Sequence, residues 1–394
     1  METTKKCIFI VEDDAVVVEL YRRKLEREGF TVHVSQDGLD AMRMIPQTKP
    51  DLVLLDLMMP KFNGVDVLKF LRAHKDLKTT KVLIFTNAYM TELAQEAAKA
   101  GADRSLLKST STPSQLLNTI RELLAEKPEA PTPESAQSPQ ASTAALTPVE
   151  STARKEFFEK APQILAGLRE ALAQFVQTKE PKFQSLRLED FHRRAHFLVS
   201  MASLAECYPI AHLAGGLEAL LFELQERPKS ISPSVLKTIE NAIALLGELF
   251  NHARELIEKP IVAPTTLLVV DDDTICSRAL VHGLSRAKLR SSSTADPFAA
   301  LKLVKENHYD LLLLDYILPG MDGIELCQKI RAVAGYETVP IIFITSAIDF
   351  RERAKHILKQ GEDVITKPIF PIELALKVLT VLIKKQLQEK LAGK

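Results

Sequence analysis

Two kinds of hydrophobic pattern divide this chain. Short unbroken apolar runs separated by amphipathic stretches occupy residues 1–126, as in CIFIV (7–11), DLVLLD (51–56) and KVLIF (81–85). The same arrangement returns over 265–394 in TLLVV (266–270), DLLLLD (310–315) and PIIFI (340–344). Unbroken rather than alternating hydrophobicity predicts strands buried on both faces, hence a parallel sheet covered by helices. That predicts one doubly wound α/β domain, present twice. Between them, over 151–258, apolar residues recur at helical spacing in four long segments, which predicts an all-α antiparallel helical bundle.

The two α/β segments are copies of one domain. Asp13 and Asp272, Asp56 and Asp315, Thr86 and Thr345, and Lys108 and Lys367 are each separated by 259 residues. Residues 127–150 hold five prolines with no glycine or aromatic residue. Such a stretch is expected to be a disordered, extended tether that leaves the first domain loosely held. The break at 259–264 is short, so the bundle and the second α/β domain are expected to lie close together.

Composition narrows the functional classes. The 51 basic and 51 acidic residues of this 394-residue chain cancel, so no overall field recruits nucleic acid or an anionic membrane. No apolar stretch approaches a membrane span, and the opening METTKKC lacks the hydrophobic segment of a secretion signal, so the expected location is cytoplasmic. Cys7, Cys207, Cys276 and Cys327 lack metal-ligand spacing and are expected to act as small buried hydrophobes.

Ligands of open α/β sheets bind at the carboxyl ends of the strands. Glu12 and Asp13 follow the first strand and Asp56 ends the third, so three carboxylates converge there; Asp271, Asp272 and Asp315 repeat them. Clustered acids repel unless a cation sits among them, and their oxygens suit Mg²⁺. Thr86 and Lys108, or Thr345 and Lys367, add a hydroxyl and an ammonium to the same rim. Taken singly, acids after strands are more often helix N-caps.

In combination, VEDD, LLDLMMPKFNG, FTNA and LLKS, and again VVDDD, LLDYILPGMDG, ITSA and ITKP, resemble response-regulator receiver domains. The resemblance implies a flavodoxin-like fold and phosphorylation of Asp56 and Asp315 by a phosphohistidine donor. It implies Mg²⁺ held by Glu12, Asp13 and Asp56 with the Met58 carbonyl, or by Asp271, Asp272 and Asp315 with that of Ile317. Lys108 or Lys367 would pair with a phosphoryl oxygen, and Thr86 or Thr345 would bind another and draw its loop inward. Three departures stand out. Lys108 is followed by Ser109 rather than proline, which leaves its geometry less constrained than that of Lys367; Ser105 and Val364 replace the family's switching aromatic; and bulky Met58 and Ile317 are expected to hinder water and slow loss of the phosphoryl group.

The stretch FHRRAHFLVSMASLAE resembles a histidine phosphotransfer (HPt) domain, with His196 at the phosphoryl-carrying position. The family's following lysine and glycine are here Val199 and Ser200, so a second reading stays open: a partly exposed bundle histidine kept for a partner contact. His192 lies four residues away, a metal-compatible spacing without an evident third ligand.

The expectation is a two-component signalling protein, not an enzyme, whose receivers promote their own phosphorylation. Its partners would be a sensor histidine kinase or phosphotransfer protein and a downstream signalling protein, with no nucleic acid and no membrane. Either it relays phosphoryl groups through Asp56, Asp315 and His196, or it is an adaptor whose bundle binds another protein or a second copy as a homodimer while the receivers gate that contact.

Overall fold

The protein is described from a computed structural model. It covers residues 5–392 apart from 60–61, 87–91, 110, 112, 126–147, 179, 253–264, 288 and 347–362. Most of the proline-rich tether and the whole of the second break therefore lie outside the described residues.

The first α/β domain, labelled receiver 1 after the family it resembles, is built from β1 (Cys7–Val11), α1 (Ala15–Arg27), β2 (Thr31–Ser35), α2 (Gly38–Thr48), β3 (Leu52–Leu55), α3 (Gly64–Ala73), β4 (Lys81–Thr86), α4 (Glu92–Lys99), β5 (Arg104–Leu107) and α5 (Pro113–Ala125). The middle region is helical: α6 (Pro148–Gln177), α7 (Pro181–Leu204), α8 (Tyr208–Glu226) and α9 (Pro233–His252). Receiver 2 follows as β6 (Thr266–Val270), α10 (Thr274–Arg286), β7 (Arg290–Thr294), α11 (Pro297–Glu306), β8 (Leu311–Asp315), α12 (Gly323–Arg331), β9 (Ile341–Thr345), β10 (Asp363–Thr366) and α13 (Pro371–Ala392).

Both sheets are parallel, ordered β2-β1-β3-β4-β5 and β7-β6-β8-β9-β10. This flavodoxin-like order places a topological switch beside the first strand of each copy. The apolar runs are buried throughout, as in Leu52–Leu55 and Leu311–Leu314, because helices cover both faces of each sheet. No described helix is long and apolar enough to cross a membrane.

The chain divides into two compact units, Met1–Phe222 and Glu223–Lys394. This corrects the expectation of a loosely held first domain. Receiver 1 shares its unit with α6, α7 and most of α8, because apolar side chains join them: Phe222 of α8 belongs to a receiver core cluster with Met58 and Val67, and Leu204 of α7 packs against the cluster of Val17 and Tyr21. In the second unit α9 packs on α13. There the buried Glu373 carboxylate accepts hydrogen bonds from Ser234 Oγ at 2.5 Å and Thr238 Oγ1 at 3.2 Å.

Candidate functional site

Strand register assembles the acids of receiver 1. Val11 pairs with Leu55, so the next residues, Glu12 and Asp56, emerge side by side where the strands end. Thr86 pairs with Leu107, which puts Lys108 one step further along the same rim. Receiver 2 repeats this with Val270 opposite Leu314 and Thr366 opposite Thr345, delivering Asp271, Asp315 and Lys367.

The third acid of each run has a separate task that sequence reasoning missed. Asp14 Oδ1 accepts from Val17 N at 3.1 Å, and Asp273 caps α10 by accepting from Ile275 N and Cys276 N. Because these residues satisfy the helix starts, Glu12, Asp13, Asp271 and Asp272 are left for the pocket. The capping alternative therefore fell one residue short.

In receiver 1, Lys108 is wholly buried and donates to Glu12 at 2.7 Å and to Asp56. The missing proline after Lys108 has not displaced it. Asp56 Oδ1 also accepts from Thr86 Oγ1 at 2.6 Å and Met58 N at 3.0 Å. In receiver 2, Lys367 lies 2.6 Å from Asp315 and 3.1 Å from Asp271, and Ile317 N donates to Asp315 at 3.2 Å. Met58 is fully buried, whereas Ile317 is 60% exposed, so a shield against water has a structural basis in the first copy alone.

His196 of α7 enters the receiver 1 pocket. Its Nε2 lies 2.6 Å from Glu12, 3.4 Å from Lys108 Nζ, 3.8 Å from Asp56 Oδ2 and 4.0 Å from Asp13. Its Nδ1 lies 2.5 Å from Glu218 of α8, a wholly buried carboxylate. At 2% exposure His196 is not the partly exposed bundle residue of the second reading. Helix packing against α1 turns that face of α7 into the receiver. Glu218 was missed because, 22 residues from His196, it reads as one more acid on an amphipathic helix.

Burial and the charge of Lys108 both work against a charged imidazole. The carboxylates of Glu218 and Glu12 outweigh them and hold its pKa well above the usual histidine value. As an imidazolium, His196 donates at both ends. Burial would raise the Asp56 carboxyl, but Lys108 and then His196 hold it down to about 2. Asp315 faces Lys367 with no histidine beside it among the described residues; burial raises its carboxyl, with Lys367 opposing. Asp13 is pushed up to about 7, chiefly by burial. His192, stacked 6.4 Å from His196, is lowered to about 4 by burial and stays neutral near pH 7.

The donors fit a hard cation. In receiver 1 carboxylate oxygens of Glu12, Asp13 and Asp56 lie within 4.8 Å of one another, with the His196 ring nitrogen inside the same span, and those of Asp271, Asp272 and Asp315 do so in receiver 2. Asp13 Oδ1 is buried with no hydrogen-bond partner among the described residues, an acceptor left open toward the cluster.

Comparison with known proteins places the chain in a family. The response regulator receiver domain family matches residues 8–121 and 267–379, and the Hpt domain family matches 153–249. The DNA-binding response regulator MtrA of Mycobacterium tuberculosis is 34% identical over 131 residues, covering 33% of this chain and 56% of MtrA. Response regulator MprA of Mycobacterium sp. is 37% identical over 117 residues, covering 30% and 50%. The chain thus spans about half the length of the curated relatives it matches. Among solved structures, the BeF3-activated receiver domain of Klebsiella pneumoniae RstA is 30% identical, covering 31% of this chain and 100% of that one, with a TM-score of 0.29. With more than half its length matched by one family, the chain belongs to the response regulator receiver family and carries an Hpt domain between its two receivers.

Proposed function

We propose that this chain is a phosphorelay protein in which His196 and Asp56 exchange a phosphoryl group within one molecule. The observation that carries this reading is the approach of His196 Nε2 to 3.8 Å from Asp56 Oδ2, a gap that a phosphorus atom in line between them would fill. In the forward direction the N–P bond at Nε2 breaks as an O–P bond forms at Asp56 Oδ2, and the electron pair returns to Nε2. Glu218 holds Nδ1, fixing the ring's orientation and leaving Nε2 as the reacting nitrogen. Lys108 meets charge on the transferring group. It also supplies the cation missing at Val199, a buried position where a lysine would need desolvation.

Mg²⁺, when bound to Glu12, Asp13 and Asp56, with the Met58 carbonyl added by family resemblance, would neutralise charge on the phosphoryl oxygens. Asp271, Asp272 and Asp315, with the Ile317 carbonyl, would hold the second ion. Thr86, now donating to Asp56, would transfer that bond to a phosphoryl oxygen and draw its loop inward; Thr345 would act likewise in receiver 2. The receivers thereby promote their own phosphorylation, with a sensor histidine kinase or phosphotransfer protein as donor and protein contact as output.

The test is to phosphorylate the intact chain and its His196→Gln, Asp56→Asn and Asp315→Asn variants with acetyl phosphate and Mg²⁺ to a plateau at which the slower aspartate has also filled, then separate base-stable from acid-stable label. Exchange predicts base-stable label that is lost in His196→Gln. Label confined to aspartates in every variant would instead support the adaptor, in which the bundle only binds and the receivers gate it.

A further inference from the structure

The two receivers descend from one pattern yet present different faces, and their comparison within one molecule identifies what the bundle does to the first. In receiver 1 Lys108 and Met58 are 0% exposed and Asp56 is 2% exposed, with His196 set among them. At the matching positions of receiver 2, the side chain of Lys367 is 21% exposed and Ile317 is 60% exposed, while Asp315 itself is buried at 5% and has no helix of the bundle in its pocket among the described residues. Asp272 stands in solvent where Asp13 is half-buried. Ile275, at the start of α10, is 80% exposed.

From this we infer that phosphoryl groups from other molecules enter the chain at Asp315, and that receiver 1 is closed to outside donors by its own Hpt helices, which reserve Asp56 for His196. A donor reaching Asp56 must bring a phosphorus atom into line with Oδ2 and find room for its leaving group behind it. His196 occupies that approach, with Phe222 and Leu204 seating α8 and α7 against the receiver. At Asp315 the carboxylate oxygen attacks phosphorus, an O–P bond forms, and the donor leaves with the electron pair, an imidazole nitrogen or an acetate oxygen according to its source. The inference goes beyond exchange between His196 and Asp56: closure follows from occupancy of the pocket and would hold even if His196 never carried phosphate.

The experiment measures initial rates of labelling at each aspartate in the full-length chain treated with acetyl phosphate and Mg²⁺. Borohydride reduction of the acyl phosphates followed by peptide mass spectrometry resolves the sites. Asp315 is expected to label at least tenfold faster than Asp56. Leu204→Glu, at a half-buried position that seats α7, is expected to raise the Asp56 rate at least tenfold and leave that of Asp315 unchanged; Phe222→Ala is the second variant should the first not fold. Equal rates in the unaltered chain overturn the inference. So does a slow Asp56 that neither variant accelerates while circular dichroism shows native helix content, since the difference would then be intrinsic to the receivers. Loss of base-stable label in His196→Gln belongs to the exchange reading, so the two can fail separately.

Discussion

Replacing the pocket lysine of each receiver, Lys108 or Lys367, by methionine should have unequal consequences, although the two sites share one pattern. In receiver 1 the Lys108 side chain is 0% exposed, and it neutralises side chains of Asp56 at 0% and Glu12 at 4%. Lys108→Met retains most of the packed stem and removes the charge, leaving buried carboxylates uncompensated. Breaking a buried ion pair from one side typically costs about 3–5 kcal/mol. His196, 2.6 Å from Glu12 and 3.8 Å from Asp56, takes over part of the compensation, which places the expected loss near the lower figure, about 3 kcal/mol. In receiver 2 the carboxylates of Asp315 and Asp271 are also buried, at 7% and 0%, but the Lys367 side chain is 21% exposed, so water can partly replace the lost ammonium and a smaller loss, about 2 kcal/mol, is expected for Lys367→Met. Urea denaturation read by hydrogen exchange and mass spectrometry assigns the loss to each unit, with chelator present so that metal binding does not contribute. Equal losses, or a larger one in receiver 2, would refute the argument that burial beneath the Hpt helices sets the difference.

Three further outcomes are expected. Glu218→Gln keeps an acceptor at Nδ1 of His196 but exchanges a charge-assisted hydrogen bond for a neutral one, a loss of about 1.4 kcal/mol that should slow His196-to-Asp56 transfer roughly tenfold in a single-turnover label chase; an unchanged rate removes Glu218 from the positioning role. A Cβ at Gly64 would lie 2.1 Å from the Asp56 carbonyl oxygen, and one at Gly323 would lie 2.2 Å from that of Asp315. Gly64→Ala and Gly323→Ala should therefore each cost about 1–3 kcal/mol by overpacking and slow phosphorylation at their own aspartate only, as site-resolved labelling would show. Burial raises the Glu373 carboxyl above its ordinary value, with Ser234 and Lys377 opposing. Because the folded pKa is the higher one, the associated stability is full below the unfolded value and is lost as pH rises through the folded value. Urea midpoints of the second unit should fall across that window, and Glu373→Gln, which retains an acceptor for Ser234 and Thr238, should flatten the profile.

Much of the architecture could be read from the chain before any coordinates. Unbroken apolar runs can be buried only where both sheet faces are covered, and the constant spacing of Asp56 and Asp315, Lys108 and Lys367 exposed the duplication. The acid pockets followed from the same logic, because residues ending adjacent parallel strands emerge on one edge whatever the loops do. The helical character of the middle region was equally plain from its periodicity.

Long-range packing decided the rest. Helical spacing shows that a residue lies on an apolar face, but not which neighbour covers that face; His196 could have pointed into a bundle, into solvent or into a receiver. Leu204 and Phe222 settle it by burying themselves against receiver 1, and this brings Glu12, Glu218 and Lys108 around one imidazole from elements far apart in sequence. Local periodicity therefore determined which elements form and where strand ends place their acids. Only tertiary structure decided that the receiver 1 pocket holds the chain's own His196, because contact energy between distant helices is a property of matched surfaces and leaves no period in the sequence.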